Sequence, residues 1–399
     1  MKILWICPTF LHPTTRGGQI RTLGMLRELN RSHEIHFAAL QRPEDGSEGV
    51  ARSAEYCTQS YPVFHDPPKT RSTAFGIQAL TSIFSQMPLA VSRWRSSALR
   101  LRIDQLLKEQ RFDHLVCDFL AAAPNVPVMQ RAALFQHNVE TIIWDRLRDT
   151  ASNPINRLIY RYEAARMLEY ERSMCRAAAR VIAVSEEDAE RMRSLFGIPH
   201  VSAVPTGVDI DFFAPPADPA PIADLMFTGS MNWMPNIDGV SFFCRDVLPL
   251  ILARKPDCRV VIAGRTPPPS ITRLSEIHPN LSVTGTVPDI RPYLWGSKVC
   301  IVPLRVGGGT RLKIYEAMAA RIPVVSTQVG AEGLPVSHGE NILLADEPQQ
   351  FADACLDLLA SRDQRDRLSE RAWNLVASHY SWKQAAECFE RILESSPQL

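Results

Sequence analysis

The sequence has almost no net charge. Its 44 lysines and arginines are balanced by 43 aspartates and glutamates, which leaves a formal charge of +1. A chain without a large charge excess has no overall field that attracts nucleic acid or an anionic lipid surface. No nucleic-acid partner is therefore expected, and any charged ligand needs a local binding site.

The nine cysteines also lack a pairing pattern. They are scattered from Cys7 to Cys388, no two are spaced C-x-x-C, and their number is odd. A disulfide framework or a zinc site is usually recognised by regular cysteine spacing. The cysteines indicate neither, and they favour the reducing cytoplasm as the location.

Long hydrophobic runs are missing as well. No uninterrupted apolar stretch approaches the ~20 residues that a membrane-spanning helix requires. The first residues, MKILWICPTF, contain a short apolar run that Pro8 ends, which is too brief for the hydrophobic region of a signal peptide. The sequence predicts a buried first strand here and a cytoplasmic protein.

Short apolar runs alternate with longer amphipathic stretches, a pattern typical of parallel sheets covered by helices. A chain of 399 residues suffices for two such α/β domains. A proline-rich stretch between Pro205 and Pro221 separates them, so the domains are predicted at 1–205 and 206–379. The predicted strands are Ile3–Cys7, Ile35–Leu40, His114–Cys117, Ala133–Gln136, Val181–Val184, Leu225–Thr228, Arg259–Ala263, Leu281–Thr284, Val299–Pro303 and Pro323–Ser326.

Residues 299–327 contain a strand, a glycine loop, a helix and a further strand. Ligands of open α/β sheets bind outside the carboxyl ends of the strands, where this loop lies. Gly308 and Gly309 let backbone approach a ligand closely, and the helix is predicted to begin near Thr310. Its free amide groups favour an anion such as a diphosphate. Arg311 and Lys313 place positive charge at the positive end of the helix, a conflict that a bound anion relieves.

Glu316 follows Leu312 by four residues, so it lies about 5.4 Å further along the same helix face. A carboxylate there can accept two hydroxyl hydrogen bonds from a ribose whose phosphates lie at the helix tip. The alternative is a flexible loop and a solvated Glu–Arg pair on an ordinary surface helix. Together with the glycines and the basic first turn, Glu316 favours the nucleotide site.

The sequence Glu316-Ala317-Met318-Ala319 resembles the second half of a motif of the retaining glycosyltransferases called family 4. In that motif a first glutamate precedes by eight positions, and here Gly308 stands in its place. The resemblance covers nearly the whole chain. It implies the GT-B fold, in which two Rossmann-like doubly wound parallel-sheet domains face a central cleft and residues 380–399 return to the N-terminal domain.

The resemblance also implies roles for residues of the first domain. Gly17 and Gly18 correspond to a loop and helix N-terminus that face the donor phosphates, and Arg21 is either a further phosphate contact or a solvated arginine. His137 ends a predicted strand where the family carries a histidine that hydrogen-bonds the transferred sugar. Asp118 follows the neighbouring strand and is a candidate for shaping the acceptor site.

In the second domain, Gly229 begins a loop where many family members carry an arginine and a lysine that neutralise the diphosphate. Here Ser230 and Pro235 occupy those positions, so Arg311 and Lys313 are expected to supply the charge. Arg265 after the next strand is a further candidate, either for a phosphate, for the base or for a salt bridge. Val287 lies in a run that resembles the loop holding the nucleobase through main-chain contacts.

The resemblance implies transfer with retention from a UDP- or GDP-linked sugar, with no cofactor and no metal. The acceptor is expected to be a carbohydrate, a lipid-linked sugar or a small molecule, with polysaccharide assembly as the setting. Residues 71–111 pair apolar residues with arginines, so they either contact the inner face of the cytoplasmic membrane or form packed helices. A nucleotide-sugar epimerase and a non-catalytic sugar-nucleotide-binding scaffold are the alternative functions.

Overall fold

The computed structural model describes residues 1–14, 17–43, 46–68, 72–73, 76, 82, 85–150, 153–231, 233–306 and 312–395. These residues form two compact units. The N-terminal unit runs from Met1 to Gly207 and takes in the last helix from Trp382 onward, whereas the C-terminal unit runs from Val208 to Ser381. The sequence places the corresponding boundaries at 205 and 379.

The N-terminal unit is built on a parallel sheet with the strand order β3-β2-β1-β4-β5-β6-β7. The central strands are buried on both faces, which explains why they read as continuous apolar runs. The strands are β1 Lys2–Cys7, β2 Glu34–Gln41, β3 Gln59–Phe64, β4 His114–Asp118, β5 Ala132–Phe135, β6 Arg180–Ala183 and β7 Val201–Ala203. The helices are α1 Gly17–Leu29, α2 Glu48–Ala51, α3 Leu89–Ser92, α4 Ser97–Glu109, α5 Glu140–Thr150, α6 Pro154–Ala177 and α7 Glu186–Phe196.

The C-terminal unit repeats this architecture with the strand order β10-β9-β8-β11-β12-β13, and every pairing is parallel. Its strands are β8 Ala223–Thr228, β9 Val260–Ala263, β10 Leu281–Gly285, β11 Ser297–Val302, β12 Val324–Ser326 and β13 Leu343–Leu344. Its helices are α8 Ile210–Phe213, α9 Met234–Phe242, α10 Leu248–Arg254, α11 Pro269–Thr272, α12 Leu274–Ile277, α13 Arg291–Trp295, α14 Leu312–Ala319, α15 Pro348–Ala360 and α16 Arg362–His379. Each unit is thus a parallel sheet packed with helices, which confirms the predicted fold class.

The last helix, α17 (Trp382–Glu394), belongs to the N-terminal unit. Its buried stripe includes Phe389, whose ring centroid lies 5.3 Å from that of Trp5 and 5.2 Å from that of Phe135. Gly24 and Gly207 leave room for Trp382, since a Cβ on either would lie 2.4 or 2.6 Å from its indole ring. The predicted return of the last helix to the first domain is therefore confirmed.

No helix within the described ranges combines the length and the apolarity that crossing a membrane requires. The apolar residues of these helices face the two sheets instead. In α4, for example, Leu99, Ile103 and Leu106 are fully buried in the core of the N-terminal unit. This spacing of three and four residues is typical of a helix with one face against a core.

Candidate functional site

Several predicted donor residues follow neighbouring strands of the C-terminal sheet. Because all strands of this sheet are parallel, the segments after β8, β9, β10 and β11 leave it at the same edge. Gly229 follows β8, Arg265 follows β9 and Val287 follows β10. Helix α14, which carries Lys313 and Glu316, comes after β11.

Two glycines bring the first two of these segments into contact. A Cβ on Gly264 would lie 1.8 Å from the carbonyl oxygen of Gly229, which no side chain permits. A Cβ on Gly229 would lie 2.7 Å from Nδ2 of Asn236 and 2.9 Å from Nζ of Lys313. Any residue larger than glycine at these positions would push the strand ends apart or displace the lysine.

The ammonium group of Lys313 is held at the end of β8. Its Nζ donates to Oδ1 of Asn236 at 2.8 Å and lies 4.3 Å from the ring centroid of Phe227. Nδ2 of Asn236 donates in turn to the carbonyl oxygen of Ser230 at 2.8 Å. A lysine with these contacts keeps its positive charge in one place beside the backbone of Gly229.

Ser230 and Pro235 occupy the positions where many family members carry cations, and both have structural roles here. Ser230 accepts a hydrogen bond from Nε of Arg265 at 2.8 Å, so this arginine is held at the same edge of the C-terminal sheet. Pro235 is buried in the first turn of α9. Two cationic side chains, Arg265 and Lys313, therefore lie near the backbone that follows β8.

Asn236 is a member of this cluster that the sequence did not reveal. It is buried and lies directly after Pro235, where an asparagine usually signals a turn or a helix cap. Its side chain instead bridges Lys313 and the carbonyl oxygen of Ser230. The sequence contained one signal: Asn236 is a polar residue close to a predicted ligand loop, at the start of an apolar helix.

Glu316 lies one turn into α14 and its side chain is half-buried. Loss of solvent raises the pKa of its carboxyl to about 7, and the nearby charge of Lys313 opposes this rise. The half-buried position of Glu316 shields its carboxyl partly from solvent. The preceding residues Gly308, Gly309, Thr310 and Arg311 lie outside the described residues, and Leu312 is buried at the start of the described helix.

Val287 is half-buried in the loop after β10, an edge strand. Gly285 has a φ of +69°, which turns the chain out of the strand. Asp289 then accepts from the backbone and side chain of Arg291 at 3.0 Å. Arg291 also donates to the carbonyl oxygen of Phe212 at 3.2 Å, so the loop is fixed to α8.

In the N-terminal unit, Asp118 and His137 lie together at the carboxyl ends of β4 and β5. Nε2 of His137 is 2.6 Å from Oδ1 of Asp118. Oδ2 of Asp118 accepts from the indole Nε1 of Trp5 at 3.0 Å and from the hydroxyl of Thr22 at 2.7 Å. Asp118 is fully buried, and its two oxygens contact His137, Trp5 and Thr22.

The ring of His137 is also fixed from the side. It stacks on Phe119 with the ring centroids 3.8 Å apart and an angle of 10° between the rings. Phe119 has a φ of +70°, an unusual conformation for a bulky residue. A Cβ on Gly18 would lie 2.6 Å from this phenyl ring, which explains the glycine at the start of α1.

The second nitrogen of His137 is where chemistry can occur. Nδ1 is buried and has no hydrogen-bond partner among the residues described. Burial lowers the pKa of His137, while Asp118 opposes this and the charge of Arg21 adds to it. Since a carboxylate accepts at Nε2, the neutral ring carries its proton there and presents Nδ1 as an acceptor.

Gly17 is the exposed first residue of α1, and Arg21 follows one turn later. Arg21 is only 1% exposed, so it is not the solvated arginine that the sequence left as an alternative. A buried guanidinium close to His137 keeps positive charge beside the ring. Gly17, Gly18 and Arg21 therefore lie near His137 in the same unit.

A second buried carboxylate holds the loop that carries His137. Glu171 of α6 accepts from Nε2 of Gln136 at 3.1 Å, from the backbone of Glu140 at 3.0 Å, and from the backbone and hydroxyl of Thr141 at 2.8 and 2.6 Å. Burial raises the pKa of Glu171 to about 7, although these donors favour its charged form. No local sequence pattern indicates this contact, because Glu171 lies on a long helix 34 residues after His137.

Asp209 and Asp211 form an Asp-x-Asp sequence at the domain junction, and Asp209 has a structural role. Asp209 accepts from the backbone of Phe212 at 2.9 Å and caps α8. Capping of this kind fixes the first turn of a short helix. Asp209 is accordingly explained without a ligand.

Part of 71–111 lies outside the described residues, and the rest does not present an apolar face. Arg100 donates to the carbonyl oxygens of Val126 and Pro127, and Arg102 lies 5.1 Å from the ring centroid of Tyr61. The apolar stripe of α4 is buried, as described above. Helix α4 therefore agrees with the alternative in which this segment forms packed helices.

Comparisons with known proteins agree with this fold. Residues 15–212 match the model of Glycosyltransferase Family 4, and residues 223–361 match that of Glycosyl transferases group 1. The chain is 18% identical over 394 residues to an uncharacterized 44.6 kDa protein in the cps region of Klebsiella pneumoniae, covering 96% of this chain and 97% of that one. It is 24% identical over 283 residues to the lipopolysaccharide core biosynthesis mannosyltransferase LpsB of Rhizobium meliloti, covering 65% and 78%.

The fold is similar to that of Anabaena HepE in complex with UDP and glucose, with a TM-score of 0.71, 13% identity, and 99% and 100% of the two chains covered. The two parallel-sheet α/β units and the likeness to HepE show the GT-B fold. With the two family matches, the chain is a glycosyltransferase of the family 4 type.

Proposed function

We propose that this glycosyltransferase moves a sugar from a nucleoside-diphosphate sugar to an acceptor hydroxyl with retention of configuration. The donor nucleotide binds at the carboxyl edge of the C-terminal sheet. One observation carries the proposal: the ammonium group of Lys313 is held by Asn236 directly beside the backbone of Gly229. Such a fixed cation beside a glycine backbone at a sheet edge is suited to a phosphate.

The diphosphate is stabilised by charge that two half-buried side chains supply. Lys313 and Arg265 both lie at the end of β8, and Arg311 adds a third cation in this proposal. The amides of Gly308, Gly309 and Thr310 donate to the same phosphates. Because Asn236 and Ser230 hold Lys313 and Arg265 in place before the donor binds, these two cations stabilise the charge that grows on the leaving diphosphate.

In this proposal the ribose and the base of the nucleotide are both bound beyond the phosphates, on the side away from the transferred sugar. Glu316 accepts hydrogen bonds from the ribose hydroxyls, and the backbone near Val287 contacts the base. Leu312 contributes its backbone at the start of α14. The half-buried position of Glu316 supports this role, since a desolvated carboxylate gains more from two hydroxyl donors than an exposed one does.

In the N-terminal unit, His137 accepts a hydrogen bond from a hydroxyl of the transferred sugar through Nδ1. Asp118 acts through His137 by holding the proton on Nε2. Gly17 and Gly18 keep the start of α1 free of side chains, and Arg21 provides positive charge near the ring. The buried Nδ1 atom without a partner among the described residues supports this role.

The reaction breaks the bond between the anomeric carbon and the phosphate oxygen, and the electron pair stays on the diphosphate. The acceptor oxygen attacks from the same face, and its proton passes to the departing phosphate oxygen. Lys313 and Arg265 compensate the charge of the leaving group, so we propose that no divalent ion is needed. A chelator that abolished turnover would contradict this part of the proposal.

The proposed acceptor is a carbohydrate, a lipid-linked sugar or a small molecule, in polysaccharide or glycoconjugate assembly at the cytoplasmic side of the membrane. Relatives from a cps region and from lipopolysaccharide core synthesis support this setting. The UDP complex of HepE makes UDP the first nucleotide to test, with GDP as the second.

The test is a thermal-shift screen of the full chain against UDP, GDP and ADP, followed by product analysis. A nucleotide at 100 times its dissociation constant stabilises the folded protein by about 2.7 kcal/mol. Glu316→Ala should keep the fold and weaken the binding of that nucleotide. Unchanged affinity would contradict the ribose assignment, and release of an altered free sugar nucleotide would contradict transfer.

A further inference from the structure

The first turns of α6 extend away from the body of the N-terminal unit. Residues 153–162 are exposed on almost every side of the helix, apart from half-buried Tyr160. From Glu163 onward the same helix packs into the unit, and Met167 and Glu171 are buried. Helix α5 runs beside α6, and Trp144 contacts Tyr160 at a centroid distance of 6.1 Å. The structure thus presents a helical hairpin with a projecting tip.

The projecting tip carries an apolar stripe. Ile155, Leu158, Ile159 and Tyr162 are 68, 59, 51 and 43% exposed. Their spacing of three, four and seven residues places them on one face of the helix. A cluster of four large apolar side chains in water is costly, and it usually marks an interaction surface.

Arginines flank this stripe. Arg148, Arg157 and Arg161 line one open groove together with Leu158, Pro154 and Asp149. Arg148 is paired with two carboxylates, since its Nε lies 2.8 Å from Oδ1 of Asp149 and its Nη1 lies 2.7 Å from Oδ1 of Asp145. The groove therefore carries more positive than negative charge, although the chain as a whole is almost neutral.

We infer that this tip, Asn153–Tyr162 with Arg148, docks on an anionic lipid bilayer. Apolar side chains enter the interface while adjacent arginines contact the phosphates of the headgroups. A second copy of the chain or a protein partner fits less well. A stable interface buries about 800 Å² on each side, more than four side chains on one helix end provide.

The location differs from the segment that composition alone suggested. In α4, Leu99, Ile103 and Leu106 are buried in the core, whereas the apolar residues in the first turns of α6 remain exposed. Docking through α6 does not depend on the proposed donor site, because all its residues lie in the N-terminal unit and outside the His137 network. The two proposals are tested separately for that reason.

The experiment is co-sedimentation of the full chain with vesicles of phosphatidylcholine alone or with 30% phosphatidylglycerol, a mixture of about one charge per three lipids. Leu158→Glu with Ile159→Glu tests the apolar stripe, and Arg157→Glu with Arg161→Glu tests the charge. Leu195→Glu and Arg31→Glu, exposed residues elsewhere in the unit, serve as matched controls. Melting temperature and the nucleotide-induced thermal shift show whether each variant is folded.

We expect binding to the anionic vesicles only, and a loss of roughly tenfold or more in each double variant while the controls bind normally. Absence of wild-type binding, or equal binding by the double variants, would overturn the inference. Sedimentation velocity tests whether the chain forms a dimer instead. A dimer that Leu158→Glu with Ile159→Glu dissociates, without lipid binding, would assign the stripe to a second copy.

Discussion

The two units hold their candidate functional groups in different ways. His137 in the N-terminal unit is buried, and its partners Asp118 and Trp5 are fully buried. Lys313 and Arg265 in the C-terminal unit are half-buried, and polar side chains near the strand ends hold them. Core packing therefore fixes the orientation of the His137 ring in the first unit, whereas side-chain hydrogen bonds fix the positions of two positive charges in the second. Substitutions in the two units should accordingly affect turnover and nucleotide binding, respectively.

The largest effect is expected where the C-terminal site depends on backbone contact. Gly264→Ala places a Cβ 1.8 Å from the carbonyl oxygen of Gly229, so β8 and β9 must separate at their ends. We expect a loss of about 3 kcal/mol in stability and of nucleotide binding as well. Thermal unfolding with and without UDP measures both.

Gly339→Ala is the control for that substitution. Gly339 has a φ of +78° but open space around its Cβ position, so only backbone strain of about 1 kcal/mol is expected. Equal melting temperatures for the two variants would show that the contact between Gly264 and Gly229 is not needed.

The next largest effect is expected when the positive charge of Lys313 is removed. Lys313→Ala removes the ammonium group beside Gly229 and should weaken nucleoside-diphosphate binding by roughly 10 to 100-fold, as expected for a hydrogen bond to a charged group. Calorimetric titration measures this. Lys298→Ala is the matched control, because Lys298 pairs with Asp224 at 2.8 Å on the amino side of the same sheet. If both variants bind alike, Lys313 has no part in the site.

The corresponding change in the N-terminal unit should leave nucleotide affinity intact. Asp118→Asn weakens the hold on the Nε2 proton of His137, and we expect turnover to fall by about 10 to 100-fold. Its pH profile should shift too, since Asp118 supports the charged ring. Asp113→Asn at the other end of β4, where the carboxylate accepts from the backbone of Lys2 at 2.6 Å, is the control. A change in nucleotide affinity with normal turnover would reverse the assignment of the two units.

The smallest effect is a pH dependence of donor binding. The pKa of Glu316 is about 7 without ligand, and ribose hydroxyls favour its charged form. Nucleotide affinity should therefore fall by up to about tenfold for each pH unit below 7. Because the phosphate also titrates near this range, the measured quantity is the difference from Glu316→Gln, whose affinity lacks this dependence. Parallel pH curves for the two proteins would contradict a carboxylate–ribose contact.

The fold was predictable where strands are buried on both faces. All ten predicted strands are present, with ends that differ by one or two residues. The missed strands β3, β7 and β13 are all sheet edges. Strands β7 and β13 have only three and two residues, and β3 contains Pro62, which is tolerated only at an edge or a bulge.

The candidate site was predictable where its residues follow strands or share a helix face. Lys313 and Glu316 lie on one helix after a glycine loop, and His137 ends a strand, so spacing along the chain was enough. Asn236 and Glu171 were not predictable, because each acts through a contact between elements that are distant in sequence. The role of Asp118 also required its burial, which no local pattern indicates.

The most direct measurement is a crystal structure of the protein with UDP or GDP, whichever binds. The account predicts a phosphate oxygen within hydrogen-bond distance of Nζ of Lys313, about 3 Å, and a ribose hydroxyl at the carboxylate of Glu316. A nucleotide bound at another edge of the sheet, with no phosphate oxygen near Nζ of Lys313, would contradict it.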